Sequence, residues 1–255
     1  MSFFKALFLA LVQGLTEFLP VSSSGHLVLF QKLMNFGTPP VFFDVLLHFG
    51  TLGSILVFFR KEILAIVKNP EKNRKLICLI FIGSVPAATF GFILSSYLEE
   101  VFDSLFFTGS AWILGGVIIV STFFVGKRSK EKEMNFKDAF FIGLFQALAL
   151  FPGISRSGTT ISSGLFRNLS RDQVFNFSFL LAIPAIIGAT GLQALEADYS
   201  QFFSFVNIFS MVLAGIIGYL ALFLLKKVLV KEKFYYFGFY CLFLGAGVLI
   251  FSLFK

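Results

Sequence analysis

Two stretches of the sequence, LVQGLTEFLPVSSSG at residues 11–25 and LFQALALFPGISRSG at residues 144–158, decide how the chain is organised. Aligned without a gap, they share seven of fifteen residues at an offset of 133 positions. The shared pairs are Leu11/Leu144, Gln13/Gln146, Leu15/Leu148, Phe18/Phe151, Ser22/Ser155, Ser24/Ser157 and Gly25/Gly158. Each stretch is apolar but is interrupted by a break rich in Pro, Gly and Ser. We interpret the two as copies of one broken element.

The composition indicates a membrane protein. Of the 255 residues, 57% are hydrophobic and 14% are charged, whereas a soluble domain carries about 25% charged residues. Six apolar runs each approach the roughly 20 helical residues that cross a bilayer's hydrocarbon core. They cover residues 41–60, 75–97, 104–125, 173–196, 205–228 and 234–254. The net charge of +7 does not predict a nucleic-acid partner, because Lys and Arg lie mostly in short connections between these runs.

The same offset relates the apolar runs to one another. It carries 41–60 onto 174–193, carries 75–97 onto 208–230, and places the copy of 104–125 at the chain's last span. We therefore predict two repeats, residues 1–130 and 134–255, each with three transmembrane helices and one broken segment. Because three is odd, the second repeat enters the membrane upside down. The predicted fold is an all-α polytopic membrane protein with an inverted-topology repeat and one re-entrant helical hairpin in each half.

The charges of the connections predict the orientation. Connections 61–75, 126–137 and 226–233 are rich in Lys and Arg, whereas 98–103 and 197–204 carry only acidic charges. By the positive-inside rule the basic connections lie in the cytoplasm and both chain termini lie outside. The two broken segments then dip into the membrane from opposite faces. Irregular backbone at that depth needs surrounding protein or a water-filled cavity, so we expect the two hairpin tips to meet.

The expected tips, residues 20–26 and 152–160, hold polar groups suited to an anion. A helix restarts after each tip, so its N-terminal N–H groups and positive dipole end point toward the tip. Arg156 offers a planar fork that matches a phosphate, and an ionisable residue at membrane depth is a functional hypothesis by default. Gly25 and Gly158 permit close backbone approach, and the Ser hydroxyls can cap the helices or bind phosphate oxygens.

The remaining ionisable residues leave alternatives open. Gln13 and Glu17 share a helix face, where Glu17 could hold a divalent cation with Gln13 as a second oxygen donor. His26 could be a general acid or base or a phosphoryl acceptor, or a structural histidine whose hydrogen bonds are satisfied. Arg156 and Glu17 could also form a purely structural ion pair. Asp44 and His48, near the start of a span, are interpreted as structural.

The tip residues resemble a known family, the integral-membrane undecaprenyl-diphosphate phosphatases, also called bacitracin-resistance proteins. QGLTEFLPVSSSGHL at 13–27 and PGISRSGTT at 152–160 look like its two main signatures. FDVLLHFGTL at 43–52 and FSFLLAIPA at 177–185 are similar to weaker blocks. The resemblance implies hydrolysis of undecaprenyl diphosphate to the monophosphate that carries cell-wall precursors. It also implies a required Mg²⁺ or Ca²⁺ and a site that opens toward the outer face of the cytoplasmic membrane.

The motifs and the resemblance together give a set of expected site residues. The expected catalytic residues are Glu17, Ser23, His26 and Arg156, and the expected metal ligands are Gln13, where other members have Glu, and Glu17. The expected substrate-binding residues are Ser22, Ser24, Gly25, Gly153, Ser155, Ser157, Gly158 and Thr160. A transporter or flippase of polyprenyl phosphate is the alternative function, since inverted repeats with broken helices are a transporter architecture. The oligomeric state is left open, a homodimer included.

Overall fold

The computed structural model describes residues 3–34, 41–94, 97, 104–125, 132–195 and 204–254. Within these ranges the chain forms eleven α-helices and one short 3₁₀ helix, and no strand. The helices are α1 (Phe3–Phe18), α2 (Ser23–Leu33), α3 (Val41–Phe58), α4 (Arg60–Lys68), α5 (Arg74–Ile93), α6 (Leu105–Val120), α7 (Phe136–Leu148), α8 (Arg156–Phe166), α9 (Arg171–Leu195), α10 (Phe205–Val230) and α11 (Tyr236–Leu253). The 3₁₀ helix, Ser121–Phe124, extends α6.

The long helices confirm a polytopic membrane protein. Five helices of the described part are long and apolar enough to cross a bilayer: α5, α6 with its 3₁₀ extension, α9, α10 and α11. A sixth is added if α3 and α4 are taken as one bent span. The six predicted runs match α3, α5, α6, α9, α10 and α11 to within a few residues. The expected acidic connection 98–103 and most of 197–204 lie outside the described residues, as does 126–131.

The connection predicted at 61–75 needs a correction, because most of its first half is helical. The chain turns by 74° after α3 and continues as α4, which has no buried residue. Leu64 and Val67 on α4 are 52% and 70% exposed and lie between basic residues at the two ends of the helix. The Lys residues predict a loop here, whereas the apolar residues between them have the spacing of a helix face.

Small residues let the long helices approach closely. On α6 and α11, a Cβ added at Gly116 would lie 2.9 Å from the Gly238 carbonyl oxygen, and one at Gly109 would lie 3.2 Å from that of Gly245. Helix α1 packs along α10 and helix α7 packs along α5, so each of α1 and α7 lies against a long helix of the other half. Close backbone contact through Gly is a common way for helices to associate where lipid removes the hydrophobic driving force.

Helices α1 and α2 form one helical hairpin, and α7 and α8 form a second. In the first, the Phe8 and Phe30 rings meet at 5.0 Å, which fixes the two helices antiparallel. In the second, Asp138 at the start of α7 accepts a hydrogen bond from Arg167, at the end of α8, at 2.8 Å. The two hairpins correspond to the broken segments identified in the sequence.

Ion pairs gather the basic connections at one end of the molecule, the basic end. They are Lys75–Glu133 at 2.8 Å, Lys132–Asp138 at 2.7 Å, Arg167–Asp138 at 2.8 Å, Arg171–Glu232 at 3.4 Å and Lys226–Asp172 at 3.7 Å. The described parts of connections 61–75, 126–137 and 226–233 therefore share one side of the molecule, as the charge pattern predicts.

Asp138 is the most buried member of this group. Its carboxylate is fully buried and accepts from Lys132 and Arg167, and from the Asn135 backbone in a capping box. Burial alone would raise the pKa of Asp138, but these hydrogen bonds outweigh burial and hold the pKa below its usual value. Asp138 thus ties the two arms of the second hairpin together in its charged form.

We expect D138N to lower the free energy of unfolding by about 1–3 kcal/mol, because Lys132 and Arg167 lose their partner but remain partly hydrated. E133Q, which removes an exposed ion pair, is the matched control and should cause no measurable change. Unfolding in detergent micelles measures both variants. Since the folded pKa of Asp138 is lowered, its contribution is present above about pH 4 and is lost as the pH falls through that folded value. A D138N deficit that is the same at pH 3 and pH 7 would contradict this assignment.

Candidate active site

The tips of the two hairpins, residues 20–26 and 152–160, are built alike. Ser22 caps α2 by accepting from the Gly25 N–H at 3.3 Å, and Ser155 caps α8 by accepting from the Gly158 N–H at 3.1 Å. Each capping hydroxyl also meets a second serine two residues on, at 3.3 Å in the first tip and 3.1 Å in the second. These residues occupy equivalent positions in the two quoted stretches and make the same capping hydrogen bonds, but the backbone differs: φ is 69° at Ser22 and -79° at Ser155.

The two tips touch. The Gly153 N–H of the second tip donates to Ser22 Oγ of the first at 3.1 Å. A Cβ added at Gly25 would lie 2.7 Å from the Trp112 ring and 3.1 Å from Gly153 Cα. Gly153 has φ of +105°, which favours glycine, and the Trp112 indole N–H donates to the Val21 carbonyl at 2.8 Å. The contact between tips therefore depends on glycine on both sides.

This contact brings a carboxylate and a guanidinium together. Arg156 Nη2 lies 3.5 Å from Glu17 Oε1, and the two side chains are 15% and 9% exposed. Arg156 Nη1 donates to the Ser178 carbonyl at 3.5 Å, and the guanidinium lies 5.8 Å from the centre of the Phe179 ring. Two charges of opposite sign thus meet in the interior, one from each half of the chain.

The other oxygen of Glu17 collects three polar groups. Ser23 Oγ donates to Glu17 Oε2 at 2.6 Å, and Gln13 Nε2 donates to the same oxygen at 3.1 Å. His48 Nε2 lies 3.9 Å from it. The structure therefore joins the expected residues Gln13, Glu17 and Ser23 to Arg156 in one cluster, which we call the Glu17 cluster.

His26 lies outside the Glu17 cluster. Its Nδ1 is 2.7 Å from the Ser22 carbonyl oxygen and its Nε2 is 2.8 Å from the Tyr240 hydroxyl. The structure thus separates His26 from Glu17 and Arg156, with which the sequence grouped it.

The expected substrate-binding residues of the second tip are buried and bonded to one another. Thr160 Oγ1 donates to the Arg156 carbonyl at 2.8 Å and meets Ser178 Oγ at 2.6 Å. Ser155 and Ser157 are 4% and 0% exposed, and a Cβ at Gly158 would lie 2.8 Å from Ile119. In the first tip Ser23 and Ser24 are only partly buried. Most of these groups shape the turn that presents Arg156 and the helix N-terminus.

Two residues of this region were not expected in the site. His48, interpreted from the sequence as structural, lies beside Glu17, and Ser178 contacts both Arg156 and Thr160. Each lies in a stretch quoted above as a weaker block, 43–52 or 177–185. The resemblance of these two blocks to the family was the feature of the sequence that could have identified them.

The residues that could hold a cation are few. Across the described residues, no group of three or more His, Cys, Asp or Glu could hold a metal ion. Gln13 Oε1 is buried and has no hydrogen-bond partner among them, while the amide nitrogen of the same side chain donates to Glu17. Because Mg²⁺ usually takes one or two carboxylates plus phosphate oxygens of the substrate, Glu17 and Gln13 fit such an ion when the substrate is bound.

The chain is similar to known proteins over almost its whole length. Residues 6–247 match the family described as bacitracin resistance protein BacA. The chain belongs to this family. It is 42% identical over 261 residues to an undecaprenyl-diphosphatase of Carboxydothermus hydrogenoformans, covering 98% of this chain and 97% of the relative. It is 36% identical over 254 residues to an undecaprenyl-diphosphatase of Halothermothrix orenii, covering 98% of each. A third, from Desulforapulum autotrophicum, is 39% identical over 266 residues, covering 96% of each. The likeness to the BacA family thus spans both hairpins and all the long helices.

The glycine contact between the tips predicts a sharp difference between two Gly→Ala variants. G25A places a methyl group against the Trp112 ring and should lower the free energy of unfolding by about 1–3 kcal/mol. G53A, in α3, meets nothing within 4 Å and should be neutral or stabilising by up to about 1 kcal/mol. Thermal unfolding in detergent compares them, and equal effects would argue against the packed contact.

Proposed function

We propose that this member of the BacA family hydrolyses undecaprenyl diphosphate to undecaprenyl phosphate and phosphate, recycling the lipid carrier of cell-wall synthesis. The observation that carries the proposal is the Glu17 cluster, in which a serine hydroxyl donates to a carboxylate paired with a buried arginine. Relatives of 36–42% identity over nearly their whole length bear the name undecaprenyl-diphosphatase.

The fold is an inverted-topology repeat, residues 1–130 and 134–255, with the two hairpins re-entering from opposite faces. Three observations support it: the equal caps at Ser22 and Ser155, the reciprocal packing of α1 on α10 and α7 on α5, and the contact of the tips. Because three spans, an odd number, separate the two hairpins, the second hairpin enters the membrane from the opposite face.

The protein lies in the cytoplasmic membrane with its basic end inside, both termini outside and its site open toward the outer face. The positive-inside rule supports the orientation. Packing supports the direction of opening. The ring of Phe179, beside Arg156, lies 4.9 Å from the ring of Phe175. The Lys226 ammonium of the basic end lies over the Phe175 ring, 5.6 Å from its centre. Together with Phe18 and Phe59, which are also fully buried, these rings close the site on the basic side.

The hydrogen bond from Ser23 to Glu17 supports Ser23 as the nucleophile. As Ser23 Oγ attacks the terminal phosphorus, its proton passes to Glu17 Oε2 and on to the leaving group. The bond between that phosphorus and the bridging oxygen breaks, and undecaprenyl phosphate leaves with the electron pair. Water then attacks the phosphoserine, Glu17 relays a water proton to Ser23 Oγ as the P–O bond breaks, and phosphate is released.

Arg156 and the tip amides hold the diphosphate through both steps. The guanidinium is fixed by Glu17 and by the Ser178 carbonyl, so it stabilises charge on the transferring group without reorganising. The isoprenoid tail lies among the Phe-rich helices. Mg²⁺ or Ca²⁺, held by Glu17 and Gln13, would neutralise phosphate charge when bound.

R156A should lower the rate of phosphate release from undecaprenyl diphosphate by about 10²–10³-fold, because a preorganised positive charge is lost. R60A is the control, since Arg60 is exposed at the basic end and, within the described part of the chain, donates only to the Val57 carbonyl. Phosphate release by purified protein in detergent measures both. Normal turnover of folded R156A would contradict its role, and wild type without phosphate release would favour transport of polyprenyl phosphate.

Q13E tests the cation site. A second carboxylate beside Glu17 should lower the Mg²⁺ concentration that gives half-maximal activity, because ion affinity rises with ligand charge. The same substitution should lower the unfolding temperature in EDTA, since two like charges then meet in the interior, and added Mg²⁺ should restore it. An unfolding temperature of Q13E that does not respond to Mg²⁺ would speak against Gln13 as a ligand position.

A further inference from the structure

His26 has a partner at each ring nitrogen and is enclosed by aromatic rings. Nδ1 lies 2.7 Å from the Ser22 carbonyl oxygen and Nε2 lies 2.8 Å from the Tyr240 hydroxyl. Trp112 meets the imidazole edge-on at 5.3 Å between ring centres, and Tyr240 lies parallel to it at 5.9 Å. The residue is 4% exposed. Its position is therefore fixed from several sides.

The two partners determine where the imidazole proton sits. A backbone carbonyl oxygen only accepts, so Nδ1 must carry the proton that it donates to Ser22. In the neutral ring Nε2 is then an acceptor, and the Tyr240 hydroxyl donates to it. Both nitrogens are thus engaged, while Ser23 Oγ, the proposed nucleophile, donates to Glu17 instead.

The bond from His26 to Ser22 acts on a strained part of the backbone. Ser22 has φ of 69°, in the left-handed region, which is disfavoured for a residue with a Cβ. This residue receives the Gly25 and Gly153 N–H groups on its side chain and directly precedes Ser23. Any relaxation of Ser22 would move the nucleophile and loosen the contact between tips.

We propose that His26 and Tyr240 are positioning residues, in which the Tyr240 hydroxyl holds the His26 ring through Nε2 and His26 holds the strained Ser22 turn through Nδ1. The Ser23 hydroxyl then keeps its hydrogen bond to the Glu17 carboxylate. The kinetic part of this inference rests on the proposed phosphatase function. Tyr240 belongs to α11, near the chain's end, and lies in none of the motifs of the sequence. The turn that carries the nucleophile is therefore held from the other half of the molecule.

Two amide substitutions separate a positioning role from an acid–base role. In H26N the side-chain N–H₂ takes the place of Nδ1 and can still donate to the Ser22 carbonyl. In H26Q it takes the place of Nε2 and cannot reach that oxygen. Neither amide titrates. Phosphate release should stay within about tenfold of wild type for H26N and fall about 10²-fold for H26Q, the usual cost of a misplaced reacting group.

Y240F completes the kinetic test. It should slow the wild type by removing the donor to Nε2, but it should have no further effect in the H26N background, because Asn leaves Tyr240 without that acceptor. Equal, large losses in folded H26N and H26Q would overturn the proposal and return His26 to acid–base chemistry. Wild type that releases no phosphate would instead refute the proposed function.

The tautomer can also be observed without any assay of activity. The chain has two histidines, so ¹⁵N-histidine NMR of the whole protein in micelles gives two ring systems, and H48Q assigns them. At neutral pH His26 should show a protonated Nδ1 and an unprotonated Nε2. A protonated Nε2 would contradict the proposal, whatever the variants do.

Discussion

The structure depends on the meeting of Glu17 and Arg156 inside the molecule. Either charge alone at membrane depth would be costly, because little water is available to solvate it. Together they balance, and Ser23, Gln13 and the Ser178 carbonyl supply the further hydrogen bonds that a buried pair needs. Since one charge comes from each hairpin, the pair exists only while the two tips touch, and it is what makes that contact chemically useful.

The two copies of the broken element keep the same capping hydrogen bonds but contribute different side chains to the Glu17 cluster. Ser22 and Ser155 cap equivalent helices, and Gly25 and Gly158 sit against large side chains in the same way. Within the Glu17 cluster, however, the copies differ: Glu17 corresponds to Leu150 and Ser23 corresponds to Arg156. The first copy therefore contributes the carboxylate and the hydroxyl, and the second contributes the guanidinium, so that the cluster needs both tips.

Much of the fold could be predicted, because the length and hydrophobicity of the apolar runs identify the long helices. The internal repeat then relates the runs of the first half to those of the second. The contact of the tips and the Glu17–Arg156 pair could be predicted from the cost of irregular backbone and buried charge in a bilayer. Neighbours from distant helices could not: His48 and Ser178 reach the cluster from α3 and α9, and Tyr240 reaches His26 from 214 residues away. Local spacing grouped His26 with Glu17, but the ring nitrogens of His26 meet the Ser22 carbonyl and the Tyr240 hydroxyl instead. The 74° bend and helix α4 could not be predicted, because the basic residues around them are typical of a loop.

The most direct test of the contact between the two halves is a double-mutant cycle between Glu17 and Arg156. E17Q, R156Q and the double variant would be unfolded reversibly in mixed micelles, with E17Q and R60Q as the control pair. Direct contact predicts that the double variant loses less free energy of unfolding than the sum of the two single variants, by about 1 kcal/mol or more, whereas the control pair is additive. Additive losses for Glu17 and Arg156 would mean that the hairpins do not bring the two charges together.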